Sequence, residues 1–76
     1  MTKQELGSIL ARKYEEGKKR GLGVCFIHLF GIEYANHIRA SGYTPKEIAK
    51  ESGIGVSFQA EIAKGIKLSQ FVEIKK

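Results

Sequence analysis

The chain of 76 residues has no Asp and no Trp, and only one Cys, one Pro and one Met. A single Cys25 excludes an internal disulfide, and no Cys/His cluster has the spacing of a zinc site, so neither kind of staple is expected. A reducing, cytoplasmic setting is the simplest expectation. Catalysis by general bases or nucleophiles needs converging groups with tuned pKa values. Here His28 and His37 lie far apart in sequence, with only Glu33 as a nearby acid, and Cys25 sits in an apolar run where a thiol is usually inert. No catalytic residue, no cofactor and no metal ligand set is therefore expected; Cys25 and His28 read as structural, and His37 as a surface or half-buried helix residue. The longest apolar run, Leu22 to Ile32, carries His28 and two glycines. It is shorter than the roughly 20 residues a membrane span requires. Met1-Thr-Lys-Gln-Glu is not a signal peptide. A soluble chain without a membrane partner follows.

Apolar residues make up 42%, with four Phe and three Tyr to fill a core, as in a globular protein. The length suits one domain over 1–76. Thirteen Lys plus Arg against eight Glu leave a net charge of +5. That permits a polyanionic partner such as nucleic acid. The charge is uneven. Lys3, Arg12, Lys13, Lys18, Lys19 and Arg20 against Glu5, Glu15 and Glu16 give residues 1–20 a net +3, whereas residues 44–67 reach only +1.

Thr2 and Glu5 stand in capping-box spacing ahead of Leu6, Ile9, Leu10 and Tyr14, which share one face of an amphipathic helix from about Lys3 to Glu16, within a 2–17 element. Gly17-Lys-Lys-Arg-Gly-Leu-Gly23 should break it. The triplet Lys18, Lys19 and Arg20 reads either as a solvated loop complementing a helix C-terminus or as a phosphate clamp. Gly21-Leu-Gly23 lacks the further residues of a nucleotide-binding loop and reads as a flexible connector. Val24 to Phe30 is apolar at nearly every position, so periodicity leaves a buried strand and a buried helix both open. A helix from about Phe26 to Ala40 is the favoured reading, within a buried central element 24–41 stopped by Gly42. At the C-terminus Ile66, Leu68, Val72 and Ile74 suggest period two, so 66–76 is expected to be a short strand or extended tail, a candidate wing.

The most informative stretch runs from Thr44 to Gly65. Thr44 as N-cap, Pro45 at the first helical position and Glu47 in capping-box spacing specify one helix start. Ile48 and Ala49 face inward, and Gly53 suits a left-handed turn. Phe58, Ile62 and Ile66 then stripe a second helix, from about Val56 to Lys64.

Ala49, Gly53, Ile54 and Ile62 fall where the helix-turn-helix family of DNA-binding domains places its small first-helix residue, turn glycine, following apolar residue and inward recognition-helix residue. The stretch resembles that family. Gln59 departs from it, occupying a site that is usually aliphatic and inward, with Phe58 and Ala63 as alternative carriers of the burial. The resemblance implies a mainly α, three- to four-helix domain that binds DNA without catalysis, as a regulator or as the targeting module of a larger system. It implies that Ser57, Gln59, Ala60 and Lys64 meet base edges while Thr44, Lys46, Lys50 and Lys67 position phosphates. The rival expectation is a protein-docking or homodimerising module on the same scaffold.

Overall fold

The computed structural model describes residues 1–75, so Lys76, the end of the expected tail, lies outside the described residues. Its order is α1 Lys3–Lys19, α2 Gly23–Ser41, α3 Pro45–Ser52, a single 3-10 turn over Val56–Phe58, and α4 Gln59–Leu68. The fold is a small all-α domain.

The start of α1 follows from its cap: the Thr2 hydroxyl accepts the Glu5 amide at 3.0 Å, and the Glu5 carboxylate accepts the Thr2 amide at 2.8 Å. That carboxylate is held below its ordinary range, first by the Thr2 backbone hydrogen bond. The helix continues past Gly17, whose carbonyl accepts the amides of Arg20 at 3.0 Å and Leu22 at 2.7 Å. Lys18 and Lys19 are thus in its last turn and Arg20 is its C-cap, rather than loop residues.

Helix α2 settles the open alternatives for Val24 to Phe30. Ile27, Phe30, Ala35 and Ile38 fall on one side and are buried, while α1 and α4 pack against the helix. Cys25, read as a structural residue of the apolar run, is exposed in the first turn of α2, where Leu22 and Val24 are exposed too.

Helix α3 begins at a second capping box, with the Glu47 amide donating to the Thr44 hydroxyl at 3.1 Å and the Thr44 amide to the Glu47 carboxylate at 3.0 Å. It buries Ile48 and Ala49 and ends at Gly53 with φ of 79°, a left-handed turn that disfavours a β-carbon.

Two expectations fail beyond this corner. The second helix of the pair starts later and runs further than Val56 to Lys64, because Val56–Phe58 forms the 3-10 turn and Ile66 continues the stripe begun by Ile62. The strand reading of the tail fails, since among the described residues there is no strand, while residues 72–75, without helix or turn, leave the extended alternative in place. Ile66 to Leu68 belong to α4, and the Phe71 and Val72 amides turn back to the Leu68 carbonyl at 2.9 and 3.0 Å. A strand needs a ladder partner, and Val24 to Ile27, the segment available to it, is helical.

The core draws on all four helices: Leu6 and Leu10, Ile27, Phe30 and Ile38, Ile48 and Ala49, and Ile62. Among the described residues no helix is long and apolar enough to cross a membrane.

Candidate nucleic-acid interface

Helix α4 owes its orientation to a close crossing with α2. A β-carbon on Gly65 would stand 2.5 Å from the His28 carbonyl oxygen, and one on Gly31 would stand 2.7 Å from that of Ile62. The two backbones therefore touch, and no side chain larger than hydrogen fits between them. A second tie crosses the same seam. His28 Nε2 donates to Glu61 Oε1 at 2.6 Å, and Lys64 Nζ lies 3.3 Å from Glu61 Oε2. The His28 hydrogen bond, ahead of Lys64, holds the Glu61 carboxyl below its ordinary range. Lower down, the Arg39 guanidinium donates to the Ile66 carbonyl and to the Ser69 hydroxyl, each at 3.2 Å.

With Ile62 and Gly65 turned inward, about 100° per residue puts Ala60, Lys64 and Lys67 together on the opposite side of α4. All three are exposed, as are Ser57 in the 3-10 turn and Gln59 at the first position of the helix. The inward duty that Gln59 leaves is taken by Phe58, packed against the core with its ring centroid 5.2 Å from that of Tyr14, while Ala63 is half-buried.

Thr44, Lys46 and Lys50 are exposed on α3 and its cap. Tyr43, Pro45, Ala63 and Lys67 share a shallow apolar depression, which sets the start of α3 beside the later turns of α4. Thr44 and Lys46 are thereby near the Lys67 end, whereas Lys50 is in the last turn of α3, toward the corner. The Thr44 hydroxyl accepts the capping bond and keeps its own proton for another acceptor.

The pattern of small and apolar residues at the corner is met throughout. Ala49 and Ile62 are fully buried, Gly53 is left-handed, and Ile54 packs against the core. A sequence profile of the family described as an HTH-like domain matches residues 2–75. The chain belongs to that family. No curated protein and no solved structure matches it. The HTH-like match takes in α1 and α2 as well as the corner, and the family is consistent with a DNA-binding role.

Sequence reasoning missed the Gly31 and Gly65 crossing and the His28, Glu61 and Lys64 chain. One signal was available: a glycine inside an apolar helical stretch costs about 1 kcal/mol of helix propensity and so implies a packing reason.

Proposed function

We propose that this HTH-like domain binds duplex DNA without catalysis, laying α4 in the major groove, as a transcription regulator or as the targeting module of a larger system. In this reading Ser57, Gln59, Ala60 and Lys64 reach base edges, and Gln59 pairs bidentately with adenine. Thr44, Lys46, Lys50 and Lys67 hold phosphates. The observation that carries it is the exposure of all eight side chains on α3 with its cap and on the 3-10 turn with α4, elements whose other faces are buried across a tight corner. Titration with nonspecific duplex DNA at several salt concentrations tests it. Binding should weaken linearly in logarithmic terms as salt rises, because phosphate contacts release counterions. No binding at low salt, or binding indifferent to salt, would sink the reading.

A second reading has its own support. Leu68, the last residue of α4, and Phe71 and Val72 just past it are exposed, Phe71 at 83%. Such a patch suits a second copy of the chain or a protein partner. Sedimentation of the wild type against Phe71→Ser tests the homodimer: a dimer lost on substitution supports it, and a monomer at high concentration removes it.

A further inference from the structure

We propose that the corner joining α1 to α2, with Lys18 and Arg20, is a second phosphate-binding station, holding the DNA strand that flanks the N-terminal end of α4. This rests on the DNA-binding reading above and extends the footprint beyond the two helices of the corner motif.

The placement is tertiary. Tyr14 and Lys18 of α1, Gly21 to Cys25, and Phe58 line one shallow depression. Phe58 is the residue immediately before α4. The basic corner therefore flanks the start of the recognition helix, although some forty residues separate them in sequence. At the other end of α4 stand Lys67 and the start of α3. A ten-residue helix is about 15 Å long and the major groove is about 12 Å wide. Cations near its two ends therefore stand far enough apart to meet different phosphates.

The charges support the same assignment. On α1 Lys13 is paired with Glu33 at 3.2 Å and both side chains are largely covered, so Lys13 is not a free cation. The corner is differently built. Arg20 lies over the Phe26 ring at 5.3 Å and Lys18 over the Tyr14 ring at 5.2 Å, contacts that position each charge without neutralising it. Lys18 also meets Glu15 at 3.3 Å, but both partners are half or more exposed and the pair is screened by solvent and salt. Lys19 is exposed too, but it shares a different depression with Arg12, Glu15 and Glu16.

The test uses the full chain and a random-sequence duplex, reading the slope of log affinity against log salt. Each lost phosphate contact should lower the slope by about 0.9. Lys18→Gln should lower it by about that amount, and the double variant Lys18→Gln/Arg20→Gln by about 1.8. Arg12→Gln, an exposed cation elsewhere on α1, should leave the slope unchanged. Unaltered thermal melting of Lys18→Gln excludes misfolding as the cause. If the wild type binds with a salt slope and the corner variants keep it, the corner is not a contact, while the reading of α4 stands. If Arg12→Gln lowers the slope as much per charge, the effect is general and the proposal falls. If the wild type does not bind DNA at all, both fall.

Discussion

At Gly65 the His28 carbonyl occupies the space a β-carbon would need, and at Gly31 the neighbour is again backbone, which cannot rotate away as a side chain does. Gly65→Ala should therefore push α4 off α2 and destabilise the fold by about 1 to 3 kcal/mol, as overpacking does. Ala49→Leu should cost a similar amount, since Ala49 is fully buried between helices. Urea unfolding midpoints measure both, and a neutral Gly65→Ala would mean that the helices do not cross there. Glu61 makes a pH prediction at the same scale. Its folded carboxyl lies below the ordinary 4.5, chiefly through His28. A lowered carboxyl stabilises the fold above its unfolded value and loses that contribution as pH falls through the folded one. Stability should thus drop below about pH 4.5, and Glu61→Gln should flatten that drop while lowering stability at neutral pH. An identical acid profile for wild type and variant would rule out the His28 hydrogen bond as the cause.

Among the elements, α1 and α3 are the ones that announce themselves, because each begins with a Thr and a Glu that satisfy each other's amides. Thr44→Ala should cost about 1 kcal/mol in thermal or urea unfolding without DNA present. A loss seen only in DNA binding, with stability unchanged, would show that the hydroxyl serves the ligand and not the helix. Their starts were legible for this local reason. The end of α1 was less so. Gly17 is a poor helix former, yet it stays helical because it packs against Leu22 and Phe26 and its carbonyl collects two amides. Helix α2 was ambiguous as a sequence, since an apolar run carries no period to read. The tail misled for the opposite reason. Ile66, Leu68, Val72 and Ile74 alternate over a short span, but Ile66 also lies four residues after Ile62 and joins its helical stripe.

For the whole molecule, a radius of gyration of 11.0 Å against about 11.4 Å expected for this length shows ordinary packing around a small core. Phe71 lies outside that core. Phe71→Ser should accordingly change monomer stability by no more than about 0.5 kcal/mol, and a larger loss in denaturant unfolding would mean the ring is covered. The residues proposed for DNA were found by a motif whose logic is local: a small residue, a glycine turn and an inward stripe within one short stretch. What that logic could not supply is rotation and neighbourhood. The two capped helix starts and the glycine corner were legible from local order, because caps and turns involve residues three or four apart, and the net positive charge from composition alone. It took the folded chain to show that Gln59 is exposed, that α2 and α4 touch through paired glycines, and that Lys18 and the α1–α2 corner flank the start of α4. Those features depend on contacts between distant segments, which become defined only when the four helices close over one core.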